Sequence, residues 1–196
     1  GTATVGGSLD YVPQTTLVVT LSNGATITFG PNYVVGTVVQ STPFVIQTDD
    51  VYKDGETYTL TVASTIGGNF ENLVTTDTAK VTISDTTTPV TLTLNDVSVN
   101  EGTGTATVGG SLDYAPQTAL TVTLSNGSTI TFGPDYVVGT TVQSTPFTIQ
   151  TDDVYKDGET YEITVASTTG GNFENLVTTD KATVTVTDTK DTTTLT

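Results

Sequence analysis

The side chains of this sequence that could do ionic chemistry are almost all carboxylates. Asp and Glu number 21 against 5 Lys, with no Arg, His or Cys, and the formal charge is −16. The acids are grouped. The densest run is Thr151-Asp152-Asp153-Val154-Tyr155-Lys156-Asp157-Gly158-Glu159, and it has a twin at Thr48-Asp49-Asp50-Val51-Tyr52-Lys53-Asp54-Gly55-Glu56. Asp-x-x-x-Asp-Gly with a following Glu supplies oxygen ligands around a turn that glycine permits. Carboxylates this close repel one another unless something neutralises them. A hard cation with six to eight oxygen ligands fits that need, and calcium is the natural one.

The missing residue types close off other chemistry. Without His or Cys there is no Ser/His or Cys/His nucleophile pair and no ordinary zinc, copper or haem site. Without a basic patch, nucleic acid and anionic membrane surfaces are poor partners. No disulfide is possible, and no apolar run approaches the ~18–20 residues of a membrane span. High charge also suits disorder, but 35% apolar residues in regular alternation argue for a folded chain. With no initiator Met and no signal peptide, the chain reads as a piece of something longer.

The chain is a tandem repeat. Gly1 to Tyr11 return unchanged as Gly104 to Tyr114, and the 103-residue offset gives 75 identities between residues 1–93 and 104–196. A unit of about 100 residues is the size of one β-sandwich domain. Pro89 to Gly102 precede the second copy and have no counterpart before the first. The reading is therefore residues 1–88, a copy lacking its first strand; 89–191, a complete copy; and 192–196, the start of the next.

Alternation sets the fold class. Tyr58, Leu60 and Val62 alternate with polar or small residues, as do Val81 and Ile83. Asn23-Gly24 between two such runs is a hairpin signal, and the sequon at Asn126-Gly127-Ser128 reads as the same turn. Differences between the copies test the faces: Val18 becomes Thr121, Val45 becomes Thr148 and Thr59 becomes Glu162. All three fall on the outward face, where an inward Glu would cost several kcal/mol. In the second copy, strands are expected at about 90–99, 104–113, 119–125, 128–132, 136–142, 145–150, 160–167 and 181–187. The fold class is all-β, an immunoglobulin-like antiparallel β-sandwich in tandem copies.

Following these strands up and down collects acids at one end of each copy. In the second copy these are Glu101, Asp152, Asp153, Asp157, Glu159 and Asp188; in the first, Asp49, Asp50, Asp54, Glu56 and Asp85. That end leads into the linker Thr86-Thr87-Thr88-Pro89. A weaker candidate set lies at the opposite end: Asn172, Glu174 and Asp113, with Asn69, Glu71 and Asp10 in the first copy. Asp96 and Asp191 complete the candidates. Turn chemistry accounts for the weaker set as well as a metal does.

Paired carboxylates also suit a glycosidase, but duplicated active sites are uncommon and nothing marks a substrate cleft. Thr-x-Thr runs suit an ice-binding surface, but outward Thr is ordinary on soluble strands and recurs here on several of them. A module that binds a surface ligand such as polysaccharide stays open, as does cadherin-like self-association.

Val99-Asn100-Glu101-Gly102, Thr105-Ala106-Thr107-Val108-Gly109, the acidic run from Asp152 to Glu159, Gly170-Gly171-Asn172-Phe173-Glu174 and Thr187-Asp188-Thr189 together carry a likeness. They resemble the tandem bacterial immunoglobulin-like extender repeats of giant RTX adhesins, ice-binding members in particular. The likeness spans the whole chain. It implies a calcium-dependent sandwich secreted by a type I route to the bacterial surface, whose calcium stiffens the linkers. It further implies a non-catalytic spacer role, partnered by neighbouring repeats of the same chain, with ligand or ice contact made elsewhere in the parent protein.

Overall fold

The computed structural model describes residues 1–196, almost entirely as short β-strands. It divides into two compact units. One comprises Gly1–Asp50 and Asp54–Thr86; the other comprises Val51–Lys53 and Thr87–Thr196. No helix is long and apolar enough to cross a membrane.

The second unit is a sandwich of two sheets. Five strands lie in the order Val97–Asn100, Lys181–Thr187, Glu159–Gly170, Leu120–Leu124 and Thr129–Phe132. Four lie in the order Val142–Gln143, Gly109–Leu112, Pro89–Leu94 and Asn175–Val177. Inward residues of both sheets form one core, including Val90, Leu92 and Leu112 from one and Leu120, Val122, Ile163 and Val184 from the other. Most pairs are antiparallel, and two at the margins are parallel: Val97–Asn100 with Val184–Thr187, the end of the last strand, and Asn175–Val177 with Pro89–Thr91.

The expected strand at 90–99 is two strands in two sheets. The chain changes sheet at Asn95-Asp96, and carboxylates satisfy the amides that the crossing frees. Asp180 accepts from Leu94 N at 2.8 Å, and Asp96 accepts from Thr183 N at 2.7 Å. The expected run at 104–113 likewise breaks, into Thr105–Ala106 and Gly109–Leu112, where Val108 N donates to Ser144 Oγ at 3.0 Å. The expected strands at 136–142 and 145–150 shrink to Val142–Gln143 and Phe147–Thr148. Tyr136 holds the turn that precedes them, after Thr129–Phe132, its hydroxyl donating to Thr140 O at 2.7 Å and its ring packing edge-on against Phe132. The strand expected at 160–167 runs further, over Glu159–Gly170, whereas Lys181–Thr187 is as read. Asn175–Val177 has no counterpart in the sequence reading, because three residues with a parallel partner show no alternation to detect.

The predicted faces hold: Thr148 and Glu162 are exposed, Thr121 is half-buried between buried Leu120 and Val122, and Val45 is 81% exposed. Gly24 and Gly127 both sit at φ 85°, each the left-handed last residue of a three-residue hairpin loop: Gly24 N donates to Leu21 O and Leu21 N to Ala25 O, and Leu124, Gly127 and Ser128 repeat the pattern. Asn126 spends its side-chain oxygen on Ser128 N at 3.0 Å, within that turn.

The first unit repeats the central sheet, in the order Thr26–Phe29, Leu17–Leu21, Thr57–Gly67 and Thr78–Thr82. Its core is Leu17, Val19, Leu21, Ala25, Ile27, Phe29 and Leu60. Gly6–Gly7 pairs only with Val39–Gln40, whereas its counterpart Gly109–Leu112 also pairs with Leu92–Leu94. The place of that strand is a groove of about 290 Å³, lined by Gly7, Leu9, Val19, Leu60, Leu73 and Ala79. Less apolar surface is therefore withdrawn from water here. Calorimetry should resolve two thermal transitions. Leu17→Ala should lower the earlier and Leu120→Ala the later, each by about 2–5 kcal/mol. One coincident transition moved by either variant would contradict the inequality of the two cores.

Candidate metal centre

The centre grows from one turn. After Val97–Asn100 the chain makes a single 3-10 turn, Glu101–Thr103. Asn100 caps it, accepting from Gly102 N at 3.0 Å, and Gly104 closes it at φ 71° with its amide on Glu101 O. This fixes Glu101, which is 1% exposed and is the largest charged side chain inside the unit. Its Oε1 accepts from Thr189 N at 2.8 Å and from Thr189 Oγ1 at 3.1 Å. The Thr189 hydroxyl also meets Asp152 Oδ1. Thr189 lies just past Lys181–Thr187, so Glu101 ties the turn after the first strands to the point where the last strand ends.

The other oxygen of Glu101 has no such partner. Glu101 Oε2 and Asp188 Oδ1 are both buried and make no hydrogen bond. One carboxylate oxygen each from Glu101, Asp157 and Asp188 lie within 4.8 Å of one another. None of the three makes a salt bridge; the ion pair of this unit, Lys181 with Glu162, lies elsewhere. Buried polar atoms in folded proteins are satisfied almost without exception, and a cation held by this cluster could satisfy these two oxygens. Three oxygen donors and no nitrogen or sulfur suit a hard one. Gly158 makes the approach possible: a Cβ there would stand 2.9 Å from Val186 O.

The remaining candidates divide by position. Asp153 turns back to accept from Tyr155 N at 2.7 Å, and Glu159 is exposed at the start of its strand. Burial, with the Glu159 charge beside it, raises the Tyr161 phenol above its ordinary value. In the first unit Asp49 accepts from Thr86 Oγ1 at 2.7 Å, the same pairing as Asp152 with Thr189. Asp85 Oδ1 lies 2.9 Å from where a Gly55 Cβ would stand. Asp50, Asp54 and Glu56 are exposed, and no residue of this chain stands at the position of Glu101. At the opposite end one oxygen each of Asp113 and Glu174 accepts a backbone amide, Asp113 from Thr91 N at 2.8 Å and Glu174 from Thr88 N at 2.7 Å. Asn172 donates to Gln117 Oε1 at 2.6 Å, as Asn69 does to Gln14 Oε1. Asp10, Glu71 and Asp191 are exposed, and Asp96 serves the sheet crossing. Thr189 is the residue a charge reading misses; its signal is the Asp-Thr pair that ends the last strand of both copies.

The LapA domain matches residues 1–86 and again residues 87–189. The chain belongs to the LapA domain family. LapA is a family of large cell-surface adhesins and is non-enzymatic in general. No curated protein matches the chain. Among solved structures, the crystal structure of CBD12 from CALX1.2 is similar at 11% identity and a TM-score of 0.34, over 95% of this chain and 93% of that one. The acidic group of Glu101, Asp157 and Asp188 lies within the second LapA domain.

With divalent cations removed, the three carboxylates are left facing one another. Glu101→Gln keeps the acceptor for Thr189, removes one charge and adds a donor toward the unpartnered oxygens. In chelator it should raise the stability of the second unit, by on the order of 1–3 kcal/mol. A fall in its melting temperature would show that the carboxylate is satisfied without a cation.

Proposed function

We propose that the chain is a pair of non-catalytic extender repeats of a secreted cell-surface adhesin, stiffened by calcium. The observation that carries the metal is Glu101: a buried carboxylate whose second oxygen has no partner, in a group where one oxygen each of Glu101, Asp157 and Asp188 lie within 4.8 Å of one another. Glu101, Asp157 and Asp188 would hold the ion, with Asp152 positioned beside them through Thr189. Bound there, calcium supplies charge compensation and cross-links the turn after the first strands to the end of the last strand. That end leads onward to Lys190 and Asp191, so the ion would restrain the chain where it leaves the domain. The array's work is mechanical, holding a ligand-binding region of the parent protein at a distance. Any ice or surface contact belongs to that region, and the resemblance to RTX extenders supplies the type I route.

Extracellular calcium modules bind with dissociation constants of roughly 10⁻⁴–10⁻³ M. At ~10 mM calcium, one site of 10⁻⁴ M adds about 2.7 kcal/mol to the state that binds. The later thermal transition should therefore rise by on the order of 10 °C between chelator and calcium. The gain should vanish in Glu101→Gln. Magnesium should give less, because it favours tight octahedral geometry and keeps its water. Equal melting curves in calcium and chelator would defeat the reading. Calcium-dependent dimers in sedimentation would point to self-association in place of a spacer.

A further inference from the structure

The second unit contains three residues from far upstream. Val51 is 5% exposed within its core. The Tyr52 ring stacks on Phe173 with centroids 5.8 Å apart, and its hydroxyl donates to Ala115 O at 2.7 Å. Tyr52 and Phe173 form an antiparallel bridge. Around it Lys53 N donates to Asn172 O at 3.0 Å, Glu174 N to Val51 O at 2.9 Å, and Asn172 Nδ2 to Lys53 O at 3.3 Å. Three residues thus bring an apolar plug, an aromatic stack and backbone pairing to one turn, Gly171–Glu174.

The same tripeptide occurs in the second copy with the opposite exposure. Val154 is 59% and Tyr155 72% exposed. The receiving turn also occurs in the first copy, already in shape. Asn69 holds φ 57° and Asn172 φ 59°, a left-handed conformation uncommon for any residue but glycine. Gly67 and Gly68 at 85° and 81° match Gly170 and Gly171 at 84° and 85°. Asn69 makes the same bond to Gln14 that Asn172 makes to Gln117, each 2.6 Å. The turn therefore has the same shape in the first unit as in the second. A preformed receiver avoids much of the ordering cost of binding.

We infer that Val154-Tyr155-Lys156 is a docking peptide whose partner is another copy of this repeat, received at the turn equivalent to Gly171–Glu174. Each copy donates its tripeptide to a copy that follows and receives one from a copy that precedes, through Tyr-on-Phe stacking and backbone pairing. No carboxylate is needed for the contact, so it is independent of the proposed calcium.

The test is the full chain extended after Asp191 by one more copy of residues 89–191, compared with the chain as it is. Amide exchange at Lys156 and nitration of Tyr155 are read in calcium and in chelator. In the unextended chain Lys156 should exchange freely and Tyr155 should nitrate. In the extended chain Lys156 should slow by more than about tenfold, as Lys53 does, and Tyr155 should be protected. Both effects should disappear when the added copy's counterpart of Phe173 is changed to Ala. A Lys156 amide that stays unprotected while the strands of the added copy are protected would overturn the inference. Protection seen only with calcium would overturn it too, by assigning the contact to the ion.

Discussion

The second unit is organised around a charge it has no side chain to neutralise. Glu101 is buried at 1% exposure, with one oxygen bonded to Thr189 and the other without a partner, in a group with Asp157 and Asp188. Withdrawing a carboxylate from water costs several kcal/mol unless it is paired, and like charges beside it add to that cost. The fold meets half of the demand with backbone and hydroxyl donors. The other half is met by nothing in the chain. Much of what surrounds the site follows from this. A capped 3-10 turn fixes the carboxylate, Gly158 lets two loops approach, and Thr189 couples Glu101 to Asp152.

The same residue explains why two copies so alike in sequence are unlike in structure. Asp54 and Asp85 repeat Asp157 and Asp188, and the Asp49–Thr86 pairing repeats Asp152–Thr189. Residues 89–100, which lead into Glu101, pair with strands of the second unit alone, and the groove beside Gly7 and Leu73 in the first unit has no such strand. One segment thus completes both the core and the acidic centre. A cation held at this centre would therefore stabilise the same segment that completes the core.

Much of this was legible in the sequence. The 103-residue offset, the alternation in Tyr58–Val62 and the outward swaps at Thr148 and Glu162 are enough for tandem β-sandwiches with the right residues inside. The collection of Glu101, Asp157 and Asp188 at one end follows from counting strands up and down. Tertiary pairing decided the rest. The change of sheet at Asn95-Asp96 shifts the alternation by one residue, from Val90, Leu92 and Leu94 to Val97 and Val99, a slip that a bulge within one strand would also produce. Asp113, Glu174 and Asp96 look like ligands in composition, but each accepts a backbone amide. Whether an acid caps a strand or faces other acids depends on which amides are left without partners, and that is settled only when the sheets are assembled.

The account turns on whether the buried oxygens of Glu101 and Asp188 face a calcium ion. Titration calorimetry of the whole chain, beside Glu101→Gln, reads this directly. The account predicts calcium binding in the native chain and the loss of one equivalent, with its heat, in the variant. The same stoichiometry and heat in both proteins would contradict it, because the buried carboxylate whose second oxygen has no partner in the chain would then hold no ion.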